Sequence, residues 1–161
     1  MEITYEWTDG GNADFLRFYV KTEDFYSSIV GGKKNRAAFI PYNVSVSISH
    51  VLNAYVSAAA VGCEYLRAAV GCAGLKAYSE TDVEIKRVWV DPEFRGHHIA
   101  ENMMGQLEAK ARELGFKRAI LQTRPQMEAA VALYEKLGYS LIDNYPPYDK
   151  LDGAICYAKV L

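Results

Sequence analysis

The chain has 161 residues, with 18 Lys and Arg against 20 Asp and Glu, a formal net charge of −2, and half of its residues hydrophobic. A chain of this length buries roughly 68–70% of the surface its unfolded form exposes, so one domain with its own core is expected, without disulfide or metal staples. Near-neutral charge gives no global basic field, which excludes bulk attraction to nucleic acid or an anionic membrane as the main role.

Residues 1–11 carry neither the basic start nor the apolar run of a signal peptide, and no later run reaches membrane-spanning length, so the expected location is cytoplasmic. After a strand over residues 3–7, Asn12 is placed to cap a helix bearing Phe15, Phe18, Tyr19, Thr22, Phe25, Tyr26 and Ile29 at spacings of three and four. Gly31 and Gly32 end it. The basic cluster Lys33-Lys34-Asn35-Arg36 follows that helix end, where the dipole favours cations. Pro41-Tyr42-Asn43 reads as a loop, and Val44, Val46 and Ile48 alternate with serines in a pattern open to either a strand or an ordered connection. Residues 50–56 and 60–70 read as two strands, with an alanine-rich helix over 53–61 as the local alternative.

Residues 81–90 form a strand pattern with Val83, Ile85, Arg87 and Trp89 on one parity and Glu84, Lys86, Val88 and Val90 on the other. Ile99, Met103, Leu107, Ala111 and Leu114 define one stripe of a helix that Gly115 terminates, and a strand over 117–123 follows. A second helix after Pro125 presents Ala130, Leu133, Tyr134 and Leu137 and closes at Gly138. The chain ends with residues 139–143, a Pro146-Pro147 loop and a strand over 154–160. Cys63, Cys72 and Cys156 are odd in number and lack CxxC or His at ligand spacing, the pattern of structural thiols; no metal is expected. No repeat or linker divides the chain, so residues 1–161 are expected to form a single domain.

The most informative stretch is Val88-Trp89-Val90-Asp91-Pro92-Glu93-Phe94-Arg95-Gly96-His97-His98-Ile99-Ala100, a strand turning through a loop directly into a helix. The first N–H groups of a helix lack internal partners and carry partial positive charge, so such a start can hold a pyrophosphate with main chain alone. Residues 84–139 resemble the GNAT superfamily of acyl-coenzyme A-dependent N-acetyltransferases. The likeness rests on the Glu-Ile-Lys-Arg-Val-Trp-Val strand, Pro-Glu-Phe-Arg-Gly, the amphipathic helix, the Leu-Gly-Phe turn, and Ala132-Leu133-Tyr134-Glu135-Lys136-Leu137-Gly138-Tyr139. It implies an α/β (α+β) fold with a central mixed, mostly antiparallel, splayed sheet flanked by helices. It also implies acetyl-CoA as cosubstrate, held by Val88, Trp89, Val90, Arg95, Gly96, His97, His98, Ile99 and Ala100. One departure is His98, which stands where the family pattern of Arg or Gln, two residues, Gly, one residue, then Gly or Ala has its Gly. The imidazole either crowds the pyrophosphate or donates to it. A second is Met127, seven residues before Tyr134, where many members carry Asn.

Acetyl transfer from a thioester needs a neutral amine, donors for the developing oxyanion and a place for the thiolate charge. The resemblance puts Tyr134 opposite the coenzyme sulfur as hydrogen-bond donor or acid, and an N–H near Val88–Val90 at the oxyanion. Glu84, eleven residues before Arg95, is where a number of members carry the base; a salt bridge to Lys86 or Arg67 is its alternative, as plain core is for Tyr134. Family geometry draws Arg36, Tyr42, Asn43, Tyr145 and Tyr148 toward an acceptor pocket. There Arg36 and Arg67 either grip a carboxylate or form surface ion pairs. The expected reaction is direct transfer of acetyl to a primary amine of a small molecule or protein, with a non-catalytic acyl-coenzyme A sensor as the alternative. Neither nucleic acid nor membrane is expected as a partner, and a homodimer is open.

Overall fold

The computed structural model describes residues 1–42, 44–57 and 67–161. Seven strands form one sheet: β1 (Ile3–Thr8), β2 (His50–Ser57), β3 (Arg67–Ala77), β4 (Asp82–Val90), β5 (Arg118–Thr123), β6 (Ser140–Ile142) and β7 (Ile155–Val160), in the order β1-β2-β3-β4-β5-β7-β6. Every neighbouring pair is antiparallel except β4 with β5. Helices α1 (Ala13–Ile29), α2 (Lys33–Arg36), α3 (Ile99–Glu113) and α4 (Glu128–Lys136) flank it.

Each helix follows from its sequence. Asn12 caps α1, its Oδ1 accepting from the N–H of Asp14 at 3.0 Å and of Phe15 at 3.1 Å. Phe15 and Phe18 then bury against Ile48, Val51, Cys72 and Trp89 on one side of the sheet. On the other side, Ile99, Met103, Leu107 and Ala111 of α3 join Leu52, Leu75, Val83, Ile85 and Leu121 in the main core. Leu114, the last residue of the expected stripe, lies at the helix end and is 44% exposed.

One open alternative is decided and two local expectations are corrected. Residues 44–48 are an ordered connection with a 3₁₀ turn at Ser45–Ser47, ending in a buried Ile48, and not a strand. The basic cluster after α1 forms its own helical turn, α2, because Gly31 and Gly32 take φ of 87° and 121° and turn the chain before it. The third strand runs to Ala77, well beyond residue 70: Gly71 and Gly74 lie inside it where neighbours press close, a Cβ on Gly74 meeting Ile48 at 2.5 Å. Residues 58–66, and with them Cys63, lie outside the described residues.

The parity of β4 also breaks. Cys72 pairs with Trp89 but Gly74 pairs with Lys86, so Arg87 and Val88 together oppose Ala73 in a β-bulge, with Arg87 at φ 56°. Val83 and Ile85 face the main core before the bulge, and Val88 and Val90 do so after it, whereas Trp89 joins the α1 side. Glu84 therefore shares its side with Lys86 and Arg87, not with Val88. Pairing of β4 with β5 covers only Asp82–Glu84 against Arg118–Ile120, after which the two strands part.

Gly71 lies beside this break, opposite Val90. A Cβ there would stand 2.8 Å from the Trp89 carbonyl oxygen and 3.4 Å from Met103. Gly71→Ala is expected to cost about 1–3 kcal/mol, the usual penalty for overpacking, read as a lower urea midpoint. An unchanged midpoint would mean that β3 and β4 separate there without cost.

Candidate active site

The gap between β4 and β5 opens into two cavities. The larger, about 600 Å³, runs between the β4–α3 loop and α4 and is lined by Val88, Trp89, Val90, Arg95, Gly96, His98, Ile99, Ala100, Ala129, Leu133 and Tyr134, among others. Of the nine residues expected to hold the coenzyme, eight line it; His97 is exposed and does not. Loop geometry suits an anionic chain. Gly96 has φ 82° with no atom within 4 Å of where a Cβ would be, so a ligand can approach its backbone, and α3 begins just beyond with its unpaired N–H groups. Arg95 is tied back, its Nε donating to the Val90 carbonyl at 3.0 Å and its guanidinium 5.1 Å from the Trp89 ring centre.

His98 takes the left-handed conformation, φ 58° and ψ 18°, in which Gly is least strained and His is tolerated better than most residues. Its Nδ1 lies 3.1 Å from Glu101 Oε1, and Lys136 Nζ reaches the same oxygen at 2.6 Å. Those two contacts hold the Glu101 carboxyl below the usual carboxylate range.

The smaller cavity, about 100 Å³, lies between the parted strands. Ile85, Lys86, Arg87 and Val88 line it from β4, Gln122, Thr123 and Arg124 from the end of β5, with Tyr26, Arg36 and Tyr148 from the α1–α2 side and the late loop. Four residues, Val88, Met127, Ala130 and Tyr134, belong to both cavities. Tyr134 is buried, its hydroxyl makes no hydrogen bond to any described residue, and burial pushes its pKa well above the ordinary value.

Glu84 is buried behind the smaller cavity. One carboxylate oxygen accepts from the Tyr145 hydroxyl at 2.7 Å and the other lies 3.3 Å from Lys86 Nζ, which also donates to the Tyr148 hydroxyl at 2.7 Å. Desolvation lowers the Lys86 pKa to about 8, against the pull of Glu84. Burial first, then the Glu84 charge, push the Tyr145 hydroxyl far up, so it stays a donor.

Residues 35–139 match the family described as the Acetyltransferase (GNAT) family. The chain belongs to the GNAT acetyltransferase family. Among its relatives is the uncharacterized N-acetyltransferase YjgM of Escherichia coli K12, 37% identical over 83 residues that cover 50% of each chain. The match thus spans about half the length of that relative. A solved structure from Klebsiella pneumoniae, described as a candidate acyl-CoA N-acyltransferase, superposes with TM-score 0.73 at 24% identity, covering 99% of this chain and 97% of that one. A GNAT family acetyltransferase from Elizabethkingia anophelis, with acetyl-CoA bound, superposes with TM-score 0.61 at 18% identity over 99% and 98% of the two chains. The likeness is one of fold, a mixed, mostly antiparallel sheet flanked by helices, and in this chain the sheet parts between β4 and β5.

Within this GNAT frame, Tyr134, Tyr145, Tyr148, Glu84 and Arg36 gather around the parted strands, but the two arginines are not brought together. Arg36 is buried, donating from Nε and Nη2 to the two oxygens of Glu23 at 3.0 Å each, between the rings of Tyr26 and Phe39. Arg67 pairs with Glu6 and stacks 4.2 Å from the Tyr55 ring centre, among β1 and β2, and lines neither cavity. Asn43 and the Tyr42 side chain lie outside the described residues. Lys86, Arg87 and Arg124 also line the smaller cavity, beyond the residues that the sequence points to. The signal for the first two is the run Glu84, Lys86 and Arg87 among the apolar residues Val83, Ile85, Val88, Trp89 and Val90, a setting in which burial permits charges only if they are paired.

The contact of His98 with Glu101 sets an expectation for the loop. His98→Gly should change coenzyme A affinity, measured by calorimetry, by no more than about threefold. A larger loss would put the imidazole on phosphate, and a clear gain would show that it crowds the ligand.

Proposed function

We propose that the protein transfers an acetyl group from acetyl-CoA directly to a primary amine on a small molecule or protein. The observation that carries this reading is the shared wall of the two cavities. A long cleft suited to the coenzyme meets a smaller polar pocket at Val88 and Tyr134, where a thioester and an amine can be brought within reach.

In this reading the amine nitrogen forms a bond to the thioester carbonyl carbon, the carbon–sulfur bond breaks, and the amine proton leaves, giving the acetylated amine and free coenzyme A. The bulge at Arg87–Val88 interrupts the ladder with β3, and in this reading a main-chain N–H of β4 near Val88 donates to the oxyanion. Tyr134, kept protonated by its burial, donates a hydrogen bond to the departing thiolate. Full proton transfer would be uphill, since a thiol has a reference pKa of about 8.5 and Tyr of about 10 even when unperturbed. Lys86 faces the acceptor pocket, and its pKa near 8 leaves a neutral fraction to take the amine proton. Glu84 stands one step behind and stabilises the resulting ammonium.

Tyr134→Phe removes a donor to developing negative charge and should lower kcat by about 10²- to 10³-fold with little change in coenzyme A affinity, measured by thiol release and calorimetry. Tight coenzyme binding without turnover on a broad amine panel would turn the reading toward a non-catalytic acyl-CoA-binding module. For the proton acceptor, kcat/KM should rise with pH through about 8, where Lys86 loses its proton. Glu84→Gln removes the charge that favours the ammonium, so that limb should move to lower pH. A limb that instead moves up would make Glu84 itself the base, and an unmoved limb would leave both groups structural.

A further inference from the structure

Arg124 directly follows β5 and stands in the wall of the smaller cavity with Arg36, Lys86 and Arg87. Its guanidinium lies 4.3 Å from the Phe39 ring centre, and its Nη1 comes so close to Gly153 that a Cβ there would be only 2.7 Å away. An aromatic ring and a bare stretch of backbone thus position a planar fork at the cavity. Among the described residues Arg124 donates no hydrogen bond and pairs with no carboxylate, unlike its three neighbours. Arg36 and Arg87 share the single carboxylate of Glu23, and Lys86 pairs with Glu84. Among the described residues, Arg124 thus adds a positive charge to the cavity wall without adding a carboxylate. Burial, then the nearby Arg36 charge, lower the Arg124 pKa, the expected response of a cation that lacks an anion.

We propose that Arg124 grips a carboxylate of the acceptor, so that the amine acetylated by this protein belongs to a compact amino acid-like molecule. A guanidinium with its donors unused matches a carboxylate bidentately, and the ring and glycine that hold it reduce the ordering needed on binding. The cavity's volume of about 100 Å³ is small beside the roughly 300–1,000 Å³ of sites for drug-sized ligands, which favours a compact acceptor. Anchored at Arg124, such a molecule can turn its amine toward Val88 and Tyr134, in the same cavity wall. The inference rests on the acetyltransferase reading of the cleft and assigns its substrate class.

The test compares L-amino acids with their carboxamides, and with the polyamine spermidine, in acetyl-CoA-dependent thiol release. Calorimetry, in parallel, follows N-acetyl amino acids and their carboxamides binding to the protein loaded with coenzyme A. Wild type should prefer the best carboxylate to its carboxamide by at least about tenfold in kcat/KM. Arg124→Gln should lower kcat/KM for the carboxylate about ten- to a hundredfold, mainly through KM, bringing the preference near one. Arg124→Lys keeps the charge without the fork and should fall between. The thermal midpoint and coenzyme A affinity of each variant report whether its fold is intact. Carboxamides or spermidine used as well as the carboxylates by wild type would overturn the proposal, as would equal losses on both members of a pair in a folded variant. If no amine is acetylated, the transferase reading fails while calorimetry still decides this one. Carboxylate-dependent binding that Arg124→Gln abolishes would uphold the grip of Arg124 on a carboxylate, and no such binding would overturn it.

Discussion

The parting of β4 from β5 after the Glu84–Ile120 pair is the constraint on which the rest of the molecule depends. Parallel strands side by side would satisfy their main-chain groups and leave no space, whereas these pair over three residues and then diverge around two joined cavities. The bulge at Arg87–Val88 works with that divergence. It increases local twist, and by inserting one residue it changes which side chains face which layer. Val88 and Val90 are turned onto the main core while Lys86 and Arg87 both stay on the side of α1, α2 and the late loop. Without the extra residue, alternation would send Arg87 into the apolar layer occupied by Ile85 and Met103.

Burying these cations requires partners, and the fold supplies them from distant segments. Arg87 donates to Thr22 at 3.2 Å, pairs with Glu23, and lies 4.1 Å from the Tyr19 ring centre. Glu23 also holds Arg36. Its own burial raises its pKa, but the hydrogen bonds and charges of the two arginines outweigh that and hold it below the usual range. One carboxylate thus fastens α1, α2 and β4 together. Removing it would leave two buried guanidinium groups short of their anion, a far larger penalty than losing an exposed pair such as Arg17–Asp14.

Much of this was legible in the sequence because its signals are local. The Asn12 cap, the α3 stripe and the strand–loop–helix around Arg95–Gly96 each depend on residues within one or two turns, and the structure forms them where the pattern lies. Reading residues 81–90 as two fixed parities hid the bulge: the apolar alternation of 83–86 stops at the adjacent Lys86 and Arg87 and gives way to three apolar residues, and the place of the extra residue is set by Ala73 on the facing strand. Everything inferred from unbroken parity failed with it, including the separation of Glu84 from Arg87. Arg36 and Arg67 looked equivalent as isolated arginines, yet the structure gives one to Glu23 and the other to Glu6, partners 13 and 61 residues away. Arg124 carries no local pattern at all; its place depends on Phe39 and Gly153, from segments that only the folded sheet brings near.

The chain's formal charge of −2 conceals this arrangement. Charges of both signs are spread over the surface, while the wall of the smaller cavity gathers Arg36, Lys86, Arg87 and Arg124. A positive wall has two effects on an incoming amine. It attracts any anionic group the molecule carries, and it disfavours the ammonium form, lowering the pKa of an amine brought against it. A free alkyl ammonium has a pKa of about 10.4 and is nearly all protonated at neutral pH. A pocket that binds one end of the acceptor through charge can therefore use the same charge to release the nucleophile at the other. Such a site asks less of any single base, which is consistent with Glu84 being enclosed by Tyr145 and Lys86 instead of standing open to the cavity.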